Sequence, residues 1–346
     1  MKKRSKSALC VLIILCLTAL CSCSGNKPQT ASFQSMDTVM SLTVYGGESD
    51  ICGRLTDRIN ELDSLFDATD ENSEIYALNR DKSAEVGADT ESLLNRSLEL
   101  CGRLGGYFDI TVYPAVLEWG FTTGEYKIPD KETLSKLAEK IGYERVELSG
   151  NTVTVPDTTM LDLGAVAKGY AADCCLELLE DSSSQAAVLN LGGTIALYGN
   201  KPDGSRFTVG IADPEDPASY FCRLSCSEGV ISTSGGYERY FERDGKRYIH
   251  ILDPKTAAPI DNGILSVTVI SDSGAYADAL STALFVMGTE KAVGFYKSGF
   301  RECGGRDFII LTDSGELLVT EGIYDNLTLS DGYDFDITKI SDTKAD

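Results

Sequence analysis

The sequence predicts an α+β fold, a largely antiparallel mixed sheet with flanking helices. Three observations point there. Residues 48–67 and 90–106 carry apolar side chains at helical spacing, residues 186–271 break into short strand-like runs bounded by turns, and residues 276–299 return to helical spacing before a last hairpin. Strands and helices grouped in this way make a sheet with helices on one face and at its ends.

The first 22 residues read as an export signal. Lys2, Lys3, Arg4 and Lys6 precede an apolar stretch, 8–20, that is too short to span a membrane and stay there. The stretch ends in LCSC (20–23), which resembles the bacterial lipoprotein signal whose cysteine, here Cys23, is lipidated; an ordinary cleaved signal fits the same residues. Either way the mature protein is expected outside the cytoplasm, and with the lipid it is anchored to the outer face of the cell membrane. Residues 23–32 read as a polar tether, 33–330 as one domain with 156 as its natural point of division, and 331–346 as an acidic tail.

Within the domain, SMDTVMSLTVYGG (35–47) alternates like a strand running into a glycine turn. Residues 48–67 and 90–106 are amphipathic helices, the second with a threonine cap and a double-glycine stop. Residues 107–121 read as a short strand and a proline-started helical turn ending at the single tryptophan, Trp119. A capped helix (130–142), a hairpin (144–156) and a turn into a long helix (161–181) follow, then the strand-rich region.

The chain has 53 acidic and 31 basic residues, a formal charge of −22. That balance speaks against nucleic-acid partners and against lying flat on an anionic membrane. Cys52, Cys101, Cys174, Cys175, Cys222, Cys226 and Cys303 follow Cys23 without a CxxC spacing, and His250 is the only histidine. Neither a disulfide framework nor a zinc site fits, and small buried hydrophobes are the expected role.

Three stretches carry chemistry. In LDLGAVAKGY, Asp162 and Gly164 precede a helix start at which Ala165, free N–H groups and Lys168 converge, a place suited to phosphate; a capped helix with a solvated lysine fits the same residues. In SGAYADALSTALF, Asp278 and Thr282 stand four apart on one helix face and offer hard oxygen ligands suited to Mg²⁺; an aspartate near a helix start is also a common dipole partner. In YIHILDP, alternation puts Tyr248, His250 and Leu252 on one side of a strand and Ile249 and Ile251 on the other. A lone histidine can be purely structural.

With the segments MDTVMSLTVYG, DENSEIYALN, YFDITVYPAVLEWGF, LDLGAVAKGYAAD, LNLGG, STSGGYERYF, HILDPKT and YADALSTALFVMG in this order, the chain resembles the ApbE-like FAD:protein FMN transferases from about residue 33 to about 325. The resemblance implies an active-site cleft between two lobes, FAD as substrate, and Mg²⁺ assisting cleavage of its pyrophosphate. AMP leaves and FMN is attached by a phosphoester to a threonine or serine of an exported acceptor protein. It implies that Met36, Trp119, Gly120, Phe121, Asp162, Lys168 and Leu252 hold FAD, and that Asp278, Thr282 and the Ala165 carbonyl hold the metal, with Ser281 close by. His250 falls on the position of the base that deprotonates the acceptor hydroxyl. Many relatives carry a tyrosine where Thr69 stands, which bears on how tightly FAD is held and on the balance between transfer and hydrolysis. An FAD pyrophosphatase and a non-catalytic flavin-binding lipoprotein are the alternatives; the second needs no Asp278, Thr282 or His250.

Overall fold

The structure, a computed structural model, describes residues 27–342. Its centre is a nine-stranded sheet of β1 (Gln29–Ser35), β2 (Thr38–Gly46), β3 (Ser184–Asn190), β4 (Thr194–Gly199), β5 (Gly229–Gly235), β6 (Ile264–Ser271), β7 (Gly305–Thr312), β8 (Glu316–Thr320) and β9 (Asp336–Ile340), lying side by side in that order. Every pairing is antiparallel except β8 with β9. The expected α+β class and antiparallel sheet are what the chain adopts.

The helices are α1 (Ile51–Phe66), α2 (Glu74–Asp81), α3 (Ala88–Arg103), α4 (Tyr113–Trp119), α5 (Lys131–Ala138), α6 (Ala167–Glu180), α7 (Gly274–Met287), α8 (Thr289–Tyr296) and α9 (Glu321–Tyr324). The apolar stripe Ile51, Leu55, Ile59 and Leu62 of α1 joins α3, α6 and α7 over one face of the sheet, where it meets Leu42, Val267 and Phe308. The opposite face is covered by a small antiparallel sheet, Phe207–Ala212, Tyr220–Cys226 and Leu327–Leu329, through Phe221, Leu224, Ile270 and Ile309. Both faces of β6 and β7 are therefore buried, which explains their nearly continuous apolar runs. All seven cysteines among the described residues are free and buried, with the Cys222 thiol pushed up to about 12 by burial.

Several local expectations are corrected. Residues 35–47 are not one strand: β1 and β2 form a hairpin whose turn is Met36–Asp37, two non-glycine residues at φ 47° and 59°. Asp63 holds that turn by accepting from the Met36 N–H (2.9 Å) and the Ser35 hydroxyl (3.0 Å). Strand β1 begins inside the stretch expected to be tether, and β9 uses residues expected to be an acidic tail, because its apolar Ile340 (7% exposed) closes the core beside β8. Residues 107–111 form no strand; buried Asp109 instead accepts from Thr111 N–H and hydroxyl and from Tyr143 N–H. Helix α3 starts at Ala88 after Gly87, so Thr90 is not its cap. Cys23 and residues 1–26 lie outside the described residues.

Candidate active site

Two helices cross at a point where only glycine fits. A Cβ on Gly169 of α6 would stand 2.0 Å from the Gly274 carbonyl oxygen, and one on Gly274 of α7 would stand 2.2 Å from that of Gly169. Asp173 of α6 locks the crossing by accepting from Gly274 N–H (2.5 Å), the Ser273 hydroxyl (2.7 Å) and Ala275 N–H (3.2 Å) at the start of α7. One turn into α7, Asp278 is 5% exposed. Its Oδ2 accepts from Gly169 N–H at 2.6 Å, and its Oδ1 accepts from the hydroxyls of Thr194 (2.6 Å) and Ser232.

The Gly169 bond changes the start of α6. In a regular helix that N–H would bond to the Ala165 carbonyl four residues back. Here it goes to Asp278, and among the described residues no backbone N–H bonds to the Ala165 oxygen. Helix α6 begins at Ala167, so Ala165 sits in the preceding turn and not in the first helical turn as the sequence suggested. The expected array of free N–H groups is also reduced. Ala167 N–H bonds to Leu163, Gly169 to Asp278 and Tyr170 to Val166, which leaves Lys168 alone of the first four.

Asp162 precedes this turn and accepts from Gly164 N–H at 2.8 Å. Burial raises its carboxyl, while the positive charges of Arg239 and Lys168 oppose the rise. Glu238 is raised by burial and by Asp278, again opposed by Lys168 and Arg239. Across the site, Thr282 is half-buried with its hydroxyl 3.2 Å from Ser234, whose own hydroxyl lies 2.7 Å from Ser281. Ser281 is fully buried and donates to the Asp278 carbonyl at 2.9 Å.

His250 is not within a strand. It occupies the bend between Lys246–Ile249 and Leu252–Asp253, although its neighbours keep the predicted alternation: Ile249 and Ile251 pack on the main core, Tyr248 and Leu252 on a second cluster. Its backbone N–H and its Nδ1 both lie 3.0 Å from the Arg239 carbonyl oxygen. A carbonyl only accepts, so Nδ1 carries the proton and Nε2 keeps its lone pair. Burial, with Arg239 and Lys168 nearby, pushes the imidazole down to about 4, so it is neutral at pH 7.

A family model described as the ApbE family matches residues 36–303. The chain belongs to that family. It is 34% identical over 248 residues to an FAD:protein FMN transferase of Vibrio cholerae, covering 69% of this chain and 73% of the relative. It is 32% identical over 296 residues to an FAD:protein FMN transferase of Treponema pallidum, covering 79% and 80%. The crystal structure of the ApbE protein of Thermotoga maritima superposes with a TM-score of 0.78 at 29% identity, covering 86% of this chain and 98% of that one. The apo flavinyl transferase ApbE of Pseudomonas stutzeri superposes with a TM-score of 0.74 at 26% identity, covering 84% and 93%.

In this ApbE family member the residues expected to hold flavin fall into two groups. Trp119, Phe121 and Leu252 are 2%, 4% and 6% exposed, packed with Phe241, Tyr248 and Tyr126 into the second cluster. Trp119 Nε1 donates to the Ala257 carbonyl at 2.8 Å, and Gly120 at φ 81° lets the Glu125 backbone pass where a Cβ would be 2.2 Å from its oxygen. The Trp119 and Phe121 rings are thus turned into this cluster as part of a wall. Met36, by contrast, is half-buried in the strained hairpin turn, which Asp37 ties to Arg239 at 3.4 Å beside the His250 acceptor. Thr69 is exposed, with its N–H and hydroxyl both donating to Asp67 at 2.7 Å; the Asp67 charge acts on Asp162 and so belongs to the same region.

Sequence reading missed Gly169, Asp173, Thr194, Ser232, Ser234, Glu238 and Arg239. Six of these, all but Thr194, lay inside segments already singled out, LDLGAVAKGYAAD and STSGGYERYF, where neither the glycine, the hydroxyls nor the charges show which partner they will face. Their roles exist only once α6, α7 and β5 are adjacent.

Proposed function

We propose that the chain is a Mg²⁺-dependent FAD:protein FMN transferase that releases AMP and joins FMN by a phosphoester to a threonine or serine of an exported acceptor protein. Family membership supports the reaction class, and the Gly169–Asp278 bond is the observation that carries the reading, because it joins the two helical segments the chemistry needs.

The donor set suits a small hard cation: the Asp278 carboxylate, the Thr282 hydroxyl and the Ala165 carbonyl, whose usual helical partner is diverted. Bound there, Mg²⁺ would neutralise charge on the pyrophosphate oxygens. Lys168 supplies a positive charge and one unspent N–H at the start of α6. Nε2 of His250, held with its lone pair free by the Arg239 carbonyl, takes the proton of the acceptor hydroxyl. Met36, Asp162 and the wall containing Trp119, Gly120, Phe121 and Leu252 frame the flavin side. The chain is exported and held at the membrane through a lipid on Cys23, where an exported acceptor would meet it.

Incubating the protein with FAD, Mg²⁺ and an exported flavoprotein lacking its flavin tests this by mass spectrometry. Covalent FMN on a hydroxyl residue, with one AMP per FMN, is expected. AMP release at the same rate without an acceptor would favour the pyrophosphatase, for which the tyrosine-to-threonine difference at Thr69 is the motive. FAD binding with no AMP at all would leave a flavin carrier.

A further inference from the structure

The two proposed cation ligands on α7 are each held by a serine of β5. Ser232 donates to Asp278 Oδ1, and Ser234 lies 3.2 Å from Thr282 Oγ1. The spacing matches: two residues along a strand advance about 6.6 Å, and four residues along a helix advance about 6 Å. Thr233, between the serines, points the other way and meets the Thr268 hydroxyl of β6 at 2.8 Å, which fixes the strand in register.

The order of protons along this contact follows from its end. Ser281 donates to the Asp278 carbonyl, which can only accept. The Ser281 proton is thereby used, so across the 2.7 Å contact Ser234 donates to Ser281. The Ser234 proton is then used as well, so Thr282 donates to Ser234. Thr282 Oγ1 is left with lone pairs only, facing away from the chain of hydroxyls. The Asp278 carboxylate is fixed in the same manner, with Oδ1 held by Thr194 and Ser232 and Oδ2 by Gly169.

We propose that Ser232 and Ser234 are positioning residues that pre-set both α7 ligands as a rigid pair, and that this rigidity selects Mg²⁺ over Ca²⁺. The proposal rests on the cation site proposed above. Mg²⁺ demands near-ideal short contacts, whereas Ca²⁺ accepts longer and more variable ones. A ligand pair that cannot adjust favours the first. Loss of the Ser234 hydroxyl frees Thr282 to rotate and to point its proton into the site, which harms Mg²⁺ most.

The test is a Mn²⁺ titration of the full-length protein followed by electron paramagnetic resonance, with Mg²⁺ and Ca²⁺ as displacing ions. Ser234→Ala is expected to weaken Mg²⁺ by about 10- to 100-fold, the usual cost of removing an outer partner of a metal ligand, and Ca²⁺ by much less. Ser234→Thr, which keeps the hydroxyl, is expected to restore the preference. If Ser234→Ala does not fold, Ser234→Cys keeps the volume, and its thiol is too weak a hydrogen-bonding group to hold Thr282, so the same loss is expected. Parental Mg²⁺ affinity in Ser234→Ala and Ser234→Cys, or equal losses for both ions, overturns the bracket while Asp278→Asn still abolishes binding. Parental affinity in Asp278→Asn overturns the underlying cation site.

Discussion

Gly169 and Asp278, more than a hundred residues apart in sequence, are joined by a 2.6 Å hydrogen bond from the glycine N–H to the carboxylate. The bond exists because Gly169 and Gly274 let the backbones of α6 and α7 touch. It also withdraws from Ala165 the N–H its carbonyl would otherwise receive. Replacing Gly169 by alanine forces a methyl into backbone that cannot yield. Destabilisation of about 1–3 kcal/mol or more is expected, with loss of the Asp278 geometry, and chemical denaturation beside a Mn²⁺ titration checks both.

Lys168 is the cation at the start of α6. Lys168→Ala is expected to lower the transfer rate about 10²- to 10³-fold, as for other groups that stabilise transition-state charge, with the fold unchanged. Steady-state kinetics with FAD and acceptor, beside a thermal melt, measures it.

His250 bears on two pH dependences. Burial holds its imidazole down to about 4, below the ordinary histidine value of 6.5. Between these values the unfolded chain binds the extra proton, so this group removes stability as pH falls from 6.5 towards 4 and contributes nothing above 6.5. Thermal melts from pH 4 to 8 should show the parent losing ground to His250→Gln only in that window. In the same range kcat/KM for the acceptor should stay flat from pH 8 to about 5 before falling, and His250→Ala should lose about 10²- to 10⁴-fold of transfer while still binding FAD.

Strand β9 belongs to the main sheet, so Asp336–Ile340 are structural. Ending the chain at residue 330 removes Ile340 from the core and bares the hydrogen-bonding edge of β8. A loss of at least about 1.5–3 kcal/mol is expected from the isoleucine alone, together with self-association. Denaturant midpoints and sedimentation of the truncated chain test this.

What was legible in the sequence followed periodicity. The stripe Ile51, Leu55, Ile59 and Leu62 announced α1, and alternation around His250 sorted Tyr248 and Leu252 from Ile249 and Ile251. The hairpin turn at Met36–Asp37 was not legible, because methionine does not favour positive φ and the turn is held by Asp63 from a distant helix. The same reason hid β9, whose parallel partner supplies the burial that its mixed composition does not advertise. In the site, Asp278, Thr282, Lys168 and His250 stood out by chemistry. Thr194, Ser232 and Ser234 did not, since a hydroxyl acquires a role only from what it faces.

We propose that the turn before α6 and one face of α7 form a single cation and phosphate pocket. Anomalous diffraction from crystals of the full-length protein soaked with Mn²⁺ tests it most directly. A peak bounded by the Ala165 carbonyl, Asp278 and Thr282 is the predicted result, and Mn²⁺ seated elsewhere, with those three oxygens uncoordinated, would contradict it.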